Sequence, residues 1–553
     1  MIGIPSVHKI FRWGLVSLGL LSAGLLASCD KGDTAKGPVG TTIVAMADNT
    51  FSPPIAHVPV GASIVFHNAG RNPHNAIAVD GSWSSEKTFG NISMGPDTMT
   101  EVSFSKPGVY PYYCSFHGTP DGKFGMVGVV VVGDAKYIPE SAGRSNLKPV
   151  AAPTGVVRHV PKDYTSIQSA VDSANPGDLI LVDKGVYNEQ VFVTTPGITI
   201  RGVDRNDVIL EGNFEYSNGI MVSADGVTVE NMTARHYTLN GFYWTGIKGF
   251  RGSYLTAYNN GDYGIYAFGA SDGVFDHDYA SGSPDSAFYV GQCNPCRAVL
   301  DHVTGEYSGL GYSGTNSSGD MYIINSTFTR NRSGIGTTAL DVELLPPGHA
   351  TTIVGNNVSN NGGTDAAAFS ATASITGFGI MLGGTDNNIV SRNYVSDNQN
   401  YGIMAIALND RHFWPSIGNV IRENVVRNSG RADLGTSGPG AIGNCFEGNS
   451  FATSMPWGLQ IFNNCKGPRI PIGSELSSFM TFWAGIAKGR DNLIPIKPYK
   501  DMPVPAPQIN MPGGATAPVV PAIHPFEDYK LNINAITVPV PQKAAAQTGE
   551  RRG

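Results

Sequence analysis

Cys114 and His117 stand three residues apart in Tyr112-Tyr113-Cys114-Ser115-Phe116-His117. A second histidine, His74, lies upstream in Asn72-Pro73-His74-Asn75, and Met126 lies downstream in Gly125-Met126-Val127-Gly128. Two imidazoles, a thiolate and a thioether make a donor set for a metal that must be held in two oxidation states. Cu(II) favours imidazole and Cu(I) favours soft sulfur, so a plane of two histidines and a cysteine with a weak axial thioether serves both. Cys114 and His117 share one loop between the last two strands and can face one ion. His74 opens another strand at the same end, and Met126 leads into the closing strand.

The elements that would position these residues are short strands. Strand-like runs cover Thr42–Ala47, Ser63–Asn68, Asn75–Asp80, Thr100–Phe104, Val109–Cys114 and Met126–Val132. Turn signals such as Val60-Gly61-Ala62 and Lys106-Pro107-Gly108 separate them, a spacing that predicts a β-sandwich over 41–133. This stretch, with Phe51-Ser52-Pro53 and Gly61–Phe66, resembles the plastocyanin/azurin (cupredoxin) family. The resemblance implies one type 1 blue copper site with His74, Cys114 and His117 as strong ligands and Met126 as axial ligand. It also implies that Asn75 braces the cysteine loop, as outer contacts fix ligand orientation. One departure stands out: eight residues separate His117 from Met126, more than the family pattern commonly has. This leaves a backbone carbonyl open as the axial donor. His57, before a strand, and His67, mid-strand, read as exposed side chains.

The N-terminus reads as an export signal. His8, Lys9 and Arg12 precede an apolar run from Trp13 to Ala27, too short for a confident membrane span. Leu26-Ala27-Ser28-Cys29 resembles a bacterial lipobox, which implies a signal peptide over 1–28 and a lipid anchor on Cys29. Multiple acyl chains hold a protein to a membrane far better than one. Residues 29–40 read as a tether, and 134–157 as a linker. The expected location is the outer face of the bacterial cytoplasmic membrane, the periplasm or the cell surface. With Cys29 acylated and Cys114 on metal, four of the six cysteines remain for an oxidising compartment. Cys293-Asn294-Pro295-Cys296 reads as a local disulfide and Cys445 with Cys465 as a second. The net charge of -7 offers no basic face for nucleic acid.

Behind the linker a repeat appears. Small-plus-apolar pairs recur at Gly219-Ile220, Gly241-Phe242, Gly264-Ile265, Ala287-Phe288, Gly334-Ile335, Gly379-Ile380 and Gly402-Ile403. The intervals are 22, 23 and 23, then 47 and 45, about two repeats each, then 23. Such a unit cannot bury its own strands, but stacked coils form one continuous interior. Asn231, Asn325, Asn356, Asn393 and Asn424 mark corners, where Asn tolerates left-handed backbone and can bond to Asn of the next coil. A helix over Tyr164–Ala174 would cap the open end. The pattern resembles right-handed parallel β-helix repeats of the pectate-lyase-like superfamily, over 158–465. The Pro-rich 466–553 reads as a tail, partly packed on the helix and partly disordered. The fold class is thus all-β: a sandwich followed by a β-helix.

The leading functional expectation is a membrane-tethered electron-transfer protein with an unidentified redox partner and a β-helix that serves as scaffold or as a glycan- or partner-binding surface. Two alternatives stay open: a polysaccharide-active enzyme with an accessory copper domain, and copper capture or delivery. Candidates for glycan chemistry are Asp276, His277, Asp278, Asp285, Asp301, His302, Asp341 and Glu343. Asp276 and Asp278 alternate along a strand, so both could point outward, with Asp301-His302 one repeat later. The blander reading makes them corner residues that replace Asn. The opening helix resembles pectin methylesterases, but that family's catalytic Gln-Asp and Arg-Pro-Trp motifs have no counterpart, so no catalytic residue is assigned.

Overall fold

The computed structural model describes residues 41–539 apart from 71, 86–92, 138–151, 438–440, 468 and most of 470–494. The export signal, Cys29 and the tether therefore lie outside the described residues, as does 540–553.

The N-terminal unit is a sandwich of two four-stranded sheets. Its strands are β1 (Thr41–Ala47), β2 (Thr50–Ser52), β3 (Ile55–Val58), β4 (Ser63–Asn68), β5 (Ile77–Ala78), β6 (Met99–Ser103), β7 (Gly108–Gly118) and β8 (Gly125–Val132). The sheet orders are β2-β1-β4-β6 and β3-β8-β7-β5. Alternation sets the faces: Ile64, Phe66 and Asn68 of β4 are buried while Ser63, Val65 and His67 are half-buried. Phe51, Phe66 and Tyr112 meet edge-to-face between the sheets, with ring centroids 4.7–6.3 Å apart.

Several sequence expectations shift. The proline-flanked β2 and β3 carry no clear strand signal, and His57 lies inside β3 rather than before a strand. His67 is half-buried, not exposed. The strand expected over 75–80 shrinks to β5, because the chain turns where the Gly81 amide donates to the Ala78 carbonyl. In contrast, β7 runs on through the cysteine and histidine to Gly118.

The second unit is a parallel β-helix. It opens with β9 (Val157–Val160), α1 (Ile167–Asp172) and β10 (Leu179–Val182). The helix is shorter than the apolar spacing predicts because Ser166 caps it: its hydroxyl accepts from the Ser169 amide. Ile167, Ala170 and Val171 seal the end of the stack. Among the described residues, the strands of this unit form three sheets of 12, 10 and 11 strands, β9 and β10 belonging to the first.

Register makes the repeat visible. Ile220, Phe242, Ile265, Phe288, Tyr312, Ile335, Ile380 and Ile403 pair one above the next, all fully buried. Each such side chain contributes about 1.5–3 kcal/mol when fully buried. Turns between sheets carry asparagine ladders. Asn356 Nδ2 donates to Asn393 Oδ1 at 3.0 Å, Asn393 to Asn424 at 2.9 Å, and Asn424 to Asn449 at 2.9 Å. Cys293 is bonded to Cys296, and Cys445 to Cys465.

The tail packs along the helix over 495–539. Its prolines lack N–H donors, but the tail's backbone carbonyls accept from side chains of the β-helix. Arg201 donates to the Ala517 and Pro518 carbonyls, at 2.5 and 3.0 Å, Asn206 to Gln508 at 2.9 Å, and Asn259 to Met502 at 3.0 Å.

Candidate metal centre

Three side chains converge at one end of the sandwich. His74 sits where the chain bridges to Met94, whereas Cys114 and His117 lie on β7. His74 Nδ1 is 3.1 Å from His117 Nδ1; Cys114 Sγ is 3.6 Å from His117 Nδ1 and 3.9 Å from His74 Nδ1. A point equidistant from these atoms lies about 2.1 Å from each, close to the roughly 2.0–2.3 Å of metal–imidazole and metal–thiolate bonds. All three residues have 0% exposure. Two histidines and a cysteine therefore fit a copper ion in both size and donor chemistry.

The closing loop explains how the long interval before Met126 is accommodated. Gly118 pairs with Gly125, so residues between them form a self-contained hairpin tip. Thr119 and Asp121 hold it: the Thr119 hydroxyl donates to Asp121 Oδ1 at 2.6 Å, and the Lys123 amide donates to the same oxygen at 3.1 Å. Gly125 has φ +75°, and a Cβ there would overlap the His117 carbonyl oxygen. Met126, 1% exposed, enters the same core as Cys114.

Contacts around the three side chains hold them in place. Asn75 bridges from the His74 segment to the cysteine strand: its Nδ2 donates to Ser115 Oγ, and its Oδ1 accepts from the Ser115 amide, both at 2.8 Å. Asp48, on the β1–β2 turn, lies 3.6 Å from His74 Nε2 and accepts from the Asn72 amide at 3.2 Å. Nothing in the sequence marks Asp48 as a partner of His74, since 25 residues separate them. Burial disfavours a charged His74, but Asp48 and the Cys114 thiol overcome it and raise its pKa to about 9. Burial and the neighbouring charge of His74 push His117 well below the ordinary imidazole value. The pair is thereby split into one strongly basic and one weakly basic ring.

A family model described as a cupredoxin-like domain matches residues 19–125. Chloroplastic plastocyanin B of Populus nigra is 30% identical over 126 residues, which cover 21% of this chain and 73% of that protein. The chain belongs to the cupredoxin family. Amicyanin-alpha of Methylorubrum extorquens is 28% identical over 103 residues, 19% of this chain and 82% of that protein. Among solved structures, a purple cupredoxin from Nitrosopumilus maritimus is 26% identical, with 17% of this chain and 99% of that chain covered and a TM-score of 0.14. The A-module of a mannuronan C-5 epimerase from Azotobacter vinelandii covers 52% of this chain and 91% of its own, at 13% identity and a TM-score of 0.41.

The cupredoxin domain is docked on the β-helix with its metal end inward. Asn218 Nδ2 donates to the Phe116 carbonyl at 2.9 Å, beside His117. Leu239 of the β-helix joins the cupredoxin core, and the Tyr243 ring meets His117 edge-on at 6.4 Å. Sequence reading missed this contact, although Tyr243, Tyr266 and Tyr289 recur at the repeat interval of 23.

The carboxylates expected as glycan chemistry candidates do not form one cluster. Asp276 and Asp278 do not both point outward: each is buried. Asp276 faces Arg251 and His277, whereas Asp278 accepts from the Leu255 amide at 2.7 Å. The reason is that His277 turns the chain with φ +59°, which breaks the alternation. The stacking expectation does hold: Asp276 pairs with Asp301, and the His277 and His302 rings stack at 5.2 Å. Elsewhere, Asp341 accepts from His412, Glu343 from Tyr289, and Asp285 is buried in the turn before the strand Ser286–Gly291.

Proposed function

We propose that this protein binds one copper ion of type 1 character through His74, Cys114 and His117, with Met126 axial, and transfers electrons through it. The convergence of three buried ligand atoms around a point about 2.1 Å from each carries this reading. Bound copper supplies a one-electron couple. The chain holds the ligands rigid through Asn75 and the closed 118–125 hairpin, and it excludes water from all of them. The β-helix acts as a scaffold that covers the centre. The leader and Cys29 support an exported, lipid-anchored protein.

Adding Cu(II) to the full chain should produce an intense blue absorption band from the Cys114 thiolate. Cys114→Ser should retain the fold, by circular dichroism, and lose the band. A colourless copper-loaded protein would sink the proposal. Fast copper transfer to an acceptor without a reversible couple would select copper delivery instead.

A further inference from the structure

Every side chain of the metal centre is buried, with His74, Cys114 and His117 at 0% exposure and Met126 at 1%. An electron must therefore cross protein atoms to reach the surface. On the His117 side those atoms are aromatic. Tyr243, Tyr266 and Tyr289 occupy the same register on three successive strands of the sheet beneath the cupredoxin domain. Tyr243 stacks on Tyr266 at 4.7 Å, and Tyr266 meets Tyr289 edge-on at 4.9 Å. Tyr263 fills the angle between them, 4.1 Å from Tyr266 and 5.2 Å from Tyr289. The row starts at His117, with Tyr243 6.4 Å away.

Tyrosine is a costly choice for this buried row if the only need is to fill space, since each hydroxyl loses water. The structure supplies hydroxyl partners at the two later positions. Asn49 of the cupredoxin domain donates to the Tyr266 hydroxyl, and the Tyr289 hydroxyl donates to Glu343 Oε1 at 2.6 Å. The row then emerges: residues 344 and 345, next to Glu343, are 62% and 49% exposed leucines.

We infer that the Tyr243–Tyr266–Tyr289 row is the electron route between the metal centre and the surface at Leu344 and Leu345. The inference rests on the copper reading above. The rings act as a bridge of closely packed π-systems and are not themselves oxidised. Burial raises the Tyr243 and Tyr266 phenols above their ordinary range, so they stay neutral. One electron leaves the reduced copper–thiolate and one arrives on a one-electron oxidant at the Glu343 loop; no bond or proton changes hands.

The test uses the full copper-loaded chain carrying Leu345→Cys, labelled there with a ruthenium polypyridyl photo-oxidant. Flash oxidation of the label should be followed by growth of the blue band, which reports copper oxidation. Tyr266→Leu and Tyr289→Leu should slow this growth by about tenfold or more, equivalent to at least ~1.4 kcal/mol in effective barrier. Tyr266→Phe and Tyr289→Phe, which keep the ring, should stay near the parent rate. The visible spectrum and reduction potential should be unchanged in all four, separating a route from damage to the centre. Parent rates in the leucine variants overturn the route alone. Equal slowing in the phenylalanine variants also overturns it, because hydroxyl contacts rather than rings would then matter. A parent protein with no blue band overturns the copper reading and the route together.

Discussion

Asp301 and His302 show how a repeat corner tunes ionisation. His302 Nδ1 lies 2.8 Å from Asp301 Oδ1, while Tyr529 of the tail and Asn325 both donate to the same carboxylate. The hydrogen bond to Asp301 raises the His302 pKa. Burial works against the Asp301 charge, but His302, Tyr529 and Asn325 prevail and lower its pKa. The signs define a window. The His302 contribution is complete below the ordinary imidazole value of 6.5 and fades as pH rises through the raised value. The Asp301 contribution is complete above the ordinary 3.8 and fades as pH falls. The corner therefore contributes most between those two values. Because the His302 side chain is 54% exposed, the effect on stability is small, and NMR is the right probe. The His302 ring should titrate above 6.5, and Asp301→Asn should bring it back towards that value; an unchanged titration would show that Asp301 does not control it.

At the scale of elements, asparagine ladders tie successive coils together. Asn393 receives from Asn356 and donates to Asn424, while also donating to the Ile353 carbonyl at 2.9 Å. Its removal leaves buried partners on both sides without their bond, and an unsatisfied buried group costs about 1–3 kcal/mol. Asn393→Ala should lower the denaturation midpoint accordingly, and more than Asn428→Ala at an exposed corner. Equal effects would mean that the ladder adds nothing beyond ordinary packing. The hairpin at 118–125 makes the same point for the site. Its length looks like a defect in the ligand spacing, yet antiparallel pairing of Gly118 with Gly125 cancels it.

Across the whole molecule, Arg201 ties the tail to the stack. Its guanidinium, on a residue with 0% exposure, is 2.6 Å from Glu230 and donates to two tail carbonyls. Burial raises the Glu230 pKa even with Arg201 beside it, so removal of the arginine strands a buried acid. Breaking a buried pair from one side costs about 3–5 kcal/mol. Arg201→Met should show a loss of that order in urea, partly restored by adding Glu230→Gln, and should speed protease cleavage within 504–520. A tail as resistant as in the parent would show that the prolines hold it without the arginine.

The sequence alone marked His74, Cys114, His117 and Met126 as candidate donors, and it determined the two-part β architecture and the repeat interval. These are local signals: residue type, spacing and period survive in a linear chain. The capping helix and the Asn corners were legible for the same reason, and the strand bounds were less so where turns such as Ala78–Gly81 cut pairing short. Only the tertiary structure decided the rest. It set Asp48 against His74, turned Asp276 and Asp278 inward, and placed the metal end of the cupredoxin domain on the tyrosine face of the β-helix. Those outcomes depend on contacts between segments up to hundreds of residues apart, such as Asn49 with Tyr266. The outward tyrosines repeat every 23 residues in plain view, but period tells which residues share a face, and only docking tells what that face meets.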